Sequence, residues 1–192
     1  QGVFSSVYLA ENDQGQKFAL KYYTNKESDA VRQKYTVEAS TLIQLDNPNI
    51  LKVHDFGEDE LGMYIAMDYM EFGNLRDRIS RKGALDLERT LVVAISIIRA
   101  LETFHNAGKI HKDIRPENLF NSTDGYLKVA DFGTLINHVS LSSLPVETVY
   151  YTAPEVLENA PDIDCRADIY SLGATLFHIF TGQAVYHSEN TI

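Results

Sequence analysis

The sequence predicts an α+β fold, and three observations carry that prediction. Residues 17–23 alternate, with Phe18, Leu20 and Tyr22 on one face and Ala19 and Lys21 on the other, the period-two pattern of a strand. Strand-forming runs at 50–56 and 63–69 flank a polar turn at 57–62, which adds a hairpin. Residues 28–45, 87–107 and 168–180 instead carry apolar residues at helical spacing. The sheet and one helix precede residue 70, and the remainder reads as mainly helical.

Taken in order, residues 2–10 read as the second half of a hairpin, with a turn over 2–6 and strand formers Val7, Tyr8 and Leu9 after it. In the 28–45 helix, Val31, Tyr35, Leu42 and Leu45 recur at near-helical intervals until Asn47-Pro48-Asn49 stops it. Gly73-Asn74-Leu75 opens the second part of the chain. In the long helix, Leu91, Ile95, Ile98 and Leu101 define an apolar stripe, and Gly108 closes it. The 168–180 helix is apolar nearly all round, with Ile169, Leu172, Ala174, Leu176, Phe177, Ile179 and Phe180 sharing almost every face, so it belongs inside a bundle.

Composition bounds the function. With 192 residues, 44% hydrophobic and 23% charged, the chain is an ordinary globular domain with a core. No apolar run approaches the roughly 20 residues of a membrane span, and no signal peptide is visible. The net charge of −10 argues against nucleic acid as a partner. A single cysteine, Cys165, forbids an internal disulfide and suits a reducing, cytoplasmic compartment. His54, His105, His138, His178 and His187 lack metal-ligand spacing and read as structural residues.

The chemistry concentrates in His111-Lys112-Asp113-Ile114-Arg115-Pro116-Glu117-Asn118 and in Asp131-Phe132-Gly133. An acid at 113, an amide at 118 and a second acid at 131 supply what a metal-nucleotide reaction needs, an oxygen to accept a hydroxyl proton and two oxygens for Mg2+. The order and spacing match the protein kinase signature, with Lys112 in place of the usual arginine. Gly2-Val3-Phe4-Ser5-Ser6-Val7, Phe18-Ala19-Leu20-Lys21, Glu38, Ala153-Pro154-Glu155 and Asp168 follow in family order. The chain therefore resembles the serine/threonine protein kinase catalytic domain, cut at both ends.

That resemblance implies a two-lobed fold: an N-lobe over 1–67, a hinge over 68–73 and a C-lobe over 74–192. It implies transfer of the γ-phosphoryl of Mg2+-ATP to a protein Ser or Thr. Asp113 would accept the hydroxyl proton, Arg115 would stand where these kinases usually have lysine, and Asn118 and Asp131 would hold Mg2+. Lys21, locked by Glu38, would position the phosphates. Gly2 and Val3 belong to the phosphate-covering loop, in which Ser5 replaces the third glycine. Val7 and Ala19 would roof the adenine, Met67 would guard the pocket's back, and backbone groups of Asp68 to Met70 would bond the adenine edge. Asn74 is placed near the ribose, His111 in a packed spine and Asp168 beneath the catalytic loop. Thr148 belongs to the substrate-facing loop, and Ser140, Ser142 and Ser143 are candidate phosphorylation sites. The rival readings are a pseudokinase scaffold, favoured by the drift at Ser5, Lys112 and Arg115, and a small-molecule phosphotransferase, disfavoured by Ala153-Pro154-Glu155.

Overall fold

The computed structural model describes residues 5–23, 29–130 and 146–186, and the chain divides into two compact units, Gln1–Glu71 and Phe72–Ile192. Gly2, Val3, Asp131 to Gly133, His138, the three candidate serines and His187 lie outside the described residues, as does the side chain of Glu38. Among the described residues, no helix is long and apolar enough to cross a membrane.

The first unit is a four-stranded antiparallel sheet with one helix. Strands β1 (Ser5–Glu11), β2 (Lys17–Tyr23), β3 (Val53–Asp59) and β4 (Gly62–Asp68) lie in the order β1-β2-β4-β3. The β1–β2 turn is tied by Asn12, whose Oδ1 accepts from Gln14 N at 3.0 Å and Gln16 N at 2.9 Å. Strand β1 begins at Ser5, so Ser5 and Ser6 pair with Tyr23 and Tyr22 instead of finishing a turn. The turn expected over 57–62 is also shorter. Gly57, Glu58 and Asp59 ladder with Tyr64, Met63 and Gly62, leaving two residues to reverse the chain. Gly62 has φ 128°, and a Cβ there would lie 2.8 Å from the Tyr23 carbonyl oxygen. Helix α1 (Asp29–Gln44) packs beside β3, with Ala39 and Leu42 buried.

The outer row of the sheet is tyrosine-rich. Tyr8 meets Tyr22 edge-on at 5.8 Å, Tyr64 follows at 5.8 Å, and the Tyr22 hydroxyl donates to Asp59 Oδ2 at 2.6 Å. That bond pushes the Tyr22 hydroxyl up to about 12 and holds the Asp59 carboxyl below its usual range.

The second unit is helical around a small hairpin. Helices α2 (Leu75–Lys82) and α3 (Leu87–Asn106) are capped by Asn74 and Asp86, whose side chains accept from Asp77 N and Arg89 N. A 3₁₀ turn at Pro116–Asn118 leads into β5 (Leu119–Asn121), which pairs with β6 (Leu127–Val129). Two single-turn helices, α4 (Val146–Val149) and α5 (Pro154–Leu157), precede α6 (Arg166–Thr181), which ends at Gly182 in the left-handed region. Ile97, Phe104, Ile114, Leu119, Val129 and Ile179 form the core, each 1% exposed or less.

The buried face of α3 is not the one the sequence stripe indicated. Leu91, Ile95 and Ile98 are 50–54% exposed, and only Leu101 of that set is buried. The inward face is Val93, Ile97, Ala100 and Phe104, turned toward α6 and β6. The run Leu91-Val92-Val93-Ala94-Ile95 is apolar on every side, so the 3.6-residue period has more than one solution there. Helix α6 likewise leaves Ile169, Phe177 and Phe180 about half exposed.

Neighbouring isoleucines on α3 therefore separate in their energetics. Ile97→Ala should lower the unfolding free energy by about 2–5 kcal/mol, while Ile95→Ala should cost no more than about 0.5 kcal/mol. Urea unfolding of the two variants followed by circular dichroism checks the assignment, and equal losses would mean the wrong face has been placed inward.

Candidate active site

The loop from Lys109 to Asn118 is shaped by one buried acid. Asp168, on the first turn of α6, is 0% exposed. Its Oδ1 accepts from Lys112 N at 2.7 Å, and its Oδ2 accepts from His111 N at 2.9 Å and His105 Nε2 at 2.7 Å. Lys112 has φ 66°, a left-handed conformation that costs a non-glycine residue roughly 1–3 kcal/mol. The bond to its N–H holds it there. Thr175 Oγ1 donates to Ile114 O at 2.9 Å, a second anchor from the same helix. His111 is 1% exposed and meets Phe104 edge-on at 5.5 Å, and its Nδ1 accepts from Asp113 N at 3.2 Å. It is therefore a packed residue whose Nδ1 is committed to the loop backbone.

This frame presents Asp113, Arg115 and Asn118 together. Asn118 Nδ2 donates to Asp113 O at 2.8 Å and to Asp113 Oδ2 at 2.7 Å. Both acceptors are oxygens, so the amide nitrogen must face them, and the amide oxygen is left for another partner. Arg115 Nε lies 3.2 Å from Asp113 Oδ1, an ion pair whose angle departs from that of a hydrogen bond. Arg115 Nη1 donates to Thr148 Oγ1 at 2.8 Å. Thr148, 3% exposed, is tied within its own segment by Thr152 Oγ1, which donates to Thr148 O at 2.9 Å. Arg115 thus joins the expected proton acceptor to the expected substrate-facing loop.

Beside this lies a network that sequence reasoning missed. Arg76 of α2 is 3.7 Å from Glu117 Oε1 and donates to His178 Nε2 at 2.8 Å, while Tyr151 Oη is 2.5 Å from His178 Nδ1. His178 lacks metal-ligand spacing and reads from the sequence as a structural residue. Its contacts come from residues 102 and 27 positions away.

In the first unit, the strand register brings four more of the expected residues onto one face. Val7 pairs with Lys21 and Lys21 with Ile65, while Ala19 pairs with Met67 and Met67 with Val53. Directly paired residues of an antiparallel ladder point the same way, so Val7, Ala19, Lys21 and Met67 share a surface. Asp68 N donates to Lys52 O at 3.0 Å, which narrows its expected backbone contribution to the carbonyl. Its side chain pairs with His54 at 2.6 Å. Met70 follows the end of the strand. Asn74 also caps α2, its Oδ1 accepting from Asp77 N at 2.9 Å.

The protein kinase domain family matches residues 1–192, and the chain belongs to that family. Members of this family use ATP and a divalent metal and act on protein substrates. A probable serine/threonine-protein kinase of Clostridium perfringens is 32% identical over 100% of this chain and 29% of that protein. The 3-phosphoinositide-dependent protein kinase 1 of Arabidopsis thaliana is 32% identical over 96% of this chain and 41% of its own length. The serine/threonine-protein kinase PknJ of Mycobacterium tuberculosis is 35% identical over 96% of this chain and 33% of its own. The chain thus spans well under half the length of these relatives. The crystal structure of Rad53 1–466 in complex with AMP-PNP shares the fold, with a TM-score of 0.80 and 26% identity over 100% of this chain and 48% of that one.

If the Asp168 carboxylate holds the loop, Asp168→Ala should lower the unfolding free energy of the helical unit by about 3–5 kcal/mol, because three buried donors lose their charged acceptor. Amide hydrogen exchange at His111 and Lys112 should quicken by more than elsewhere on the loop. Unchanged protection at these two amides would show that the loop is held by other contacts.

Proposed function

We propose that the protein is an active serine/threonine kinase that transfers the γ-phosphoryl of Mg2+-ATP to a protein hydroxyl. The observation that carries this reading is the Asp113–Arg115–Asn118 constellation, held by Asp168 and joined to Thr148. Asp113 would accept the proton of the substrate hydroxyl, and its Oδ2 bond from Asn118 together with the Arg115 ion pair fixes its orientation. Arg115 would stabilise charge on the γ-phosphate as a cation with more than one donor. Asn118 Oδ1 is a hard oxygen donor of the type Mg2+ takes, and Asp131 is its proposed partner. When bound, the metal neutralises developing charge on the phosphates.

The nucleotide contacts are assigned to Gly2, Val3, Val7, Ala19, Lys21, Met67, Asp68 and Met70, with Glu38 orienting Lys21. Four of these share one sheet face, as a roof over a flat base requires. Division of the chain into an N-lobe over 1–67, a hinge over 68–73 and a C-lobe over 74–192 is part of the same reading. The hydroxyl-bearing Thr148 beside Arg115, together with serine/threonine kinases as relatives, supports Ser/Thr as acceptor. An intracellular site of action accords with a nucleotide-dependent transfer.

Radiolabel transfer from Mg2+-ATP by the full-length protein to itself or to generic protein substrates tests the activity. Asp113→Asn should lower the rate by about 10²–10⁴-fold. An intact protein that binds Mg2+-ATP but transfers nothing, with Asp113→Asn indistinguishable from it, would leave a nucleotide-binding scaffold. Arg115→Ala should reduce kcat by the equivalent of roughly 2–4 kcal/mol with little change in ATP affinity. An unaltered kcat would place Arg115 away from the reacting phosphate.

A further inference from the structure

His178 is wholly buried near the C-terminal end of α6, and both its ring nitrogens are engaged. A guanidinium only donates hydrogen bonds. Arg76 Nη1 at 2.8 Å therefore requires a lone pair on Nε2, which puts the ring's single proton on Nδ1. Nδ1 lies 2.5 Å from Tyr151 Oη, with the two ring planes nearly parallel at an interplanar angle of 8°. The phenol accepts that proton's bond, and burial keeps it neutral by raising it beyond the usual tyrosine range. One tautomer alone satisfies both partners.

Tyr151 belongs to the segment that begins at α4, and that segment returns to the site. Thr152 Oγ1 bonds Thr148 O, Thr148 Oγ1 receives Arg115 Nη1, and Arg115 Nε faces Asp113 Oδ1. Among the described residues, Arg76 from α2 and Tyr151 from the segment bond the ring, Glu117 on the 3₁₀ turn pairs with Arg76, and Glu117, Arg76, Arg115 and Tyr150 are the charged and titratable groups that act on the Tyr151 hydroxyl. A second proton on the imidazole would set Nε2–H directly against the Arg76 N–H.

We propose that His178 is a positioning residue that holds the 148–153 segment in register with Asp113 through Tyr151, and that this hold exists only while the imidazole is neutral. The inference rests on the kinase reading above for its effect on turnover. The geometry of the ring stands apart from it. The sign follows from the proton count. The held state binds one proton fewer at His178 than a released, solvated imidazole does in acid, so the hold is present at neutral pH and lost as pH falls. The affected range is about pH 5–7, where imidazoles change charge.

Two measurements on the full-length protein decide the matter. In the wild type, kcat/KM for a protein substrate should fall at least about tenfold between pH 7 and pH 5, with KM for ATP steady. His178→Gln, which offers an acceptor to Arg76 and a donor to Tyr151 without a titrating ring, should flatten that acidic limb to within about threefold of its own value at pH 7. A limb of undiminished depth in His178→Gln overturns the proposal. Nitrogen-15 spectra of the labelled imidazole supply a readout independent of turnover and of whether the variant folds. At pH 7.5 the His178 ring should carry its proton on Nδ1 and none on Nε2. A proton on Nε2, or on both nitrogens, overturns the proposal. If the wild type transfers no phosphate at all, the kinase reading fails while the tautomer still tests the lock.

Discussion

Asp168 has no exposure to water, yet three donors from two different segments converge on its carboxylate. Burying a charge costs several kcal/mol even after relaxation, and three hydrogen bonds to a charged acceptor at about 1.5–3 kcal/mol each offset that cost. The same bonds act on the backbone they come from. They keep Lys112 in a left-handed conformation and turn the next residue, Asp113, toward Asn118 and Arg115. The geometry of the site is thus set from beneath, by a helix whose buried face carries Asp168, Thr175 and His178 among its apolar side chains.

These three positions on α6 reach three different places. Asp168 holds the backbone at 111–112, Thr175 holds Ile114, and His178 meets Tyr151 and Arg76. Helical spacing places them on one face, so a single rigid element fixes the loop bearing Asp113 and the segment bearing Thr148. Arg115 then closes the connection by bonding Thr148 directly. Such a chain of short contacts leaves little freedom between the residue expected to take a proton and the residues expected to present the hydroxyl.

The sheet of the first unit solves a different problem. Its antiparallel register stacks a small residue, Ala19, between Leu9 and Met67, and sets Lys21 one row away between Val7 and Ile65. The opposite face is filled by Tyr8, Tyr22 and Tyr64, with Asp59 accepting the central hydroxyl. One face is stabilised by aromatic packing and a short hydrogen bond, which leaves the other to carry a small residue and a cation beside a half-buried methionine.

The sequence by itself determined the family, the order of strands and helices and most of the expected chemistry, because those depend on local periodicity and on motifs such as 111–118 whose residues lie close along the chain. It misjudged elements where the local signal has two solutions. In Leu91 to Ile98 every helical face is apolar, so only packing against α6 and β6 selects Val93, Ile97 and Phe104 as the interior. At 57–62 polar residues suggested a turn, and pairing with β4 extended the strand instead. Asn74 has a role the sequence reading did not name, since the start of α2 needs a cap and takes its amide oxygen. The Arg76–His178–Tyr151 contacts were beyond sequence reasoning altogether, since hydrogen bonds between residues up to 102 positions apart exist only once α2, α6 and the 146–157 segment have packed together.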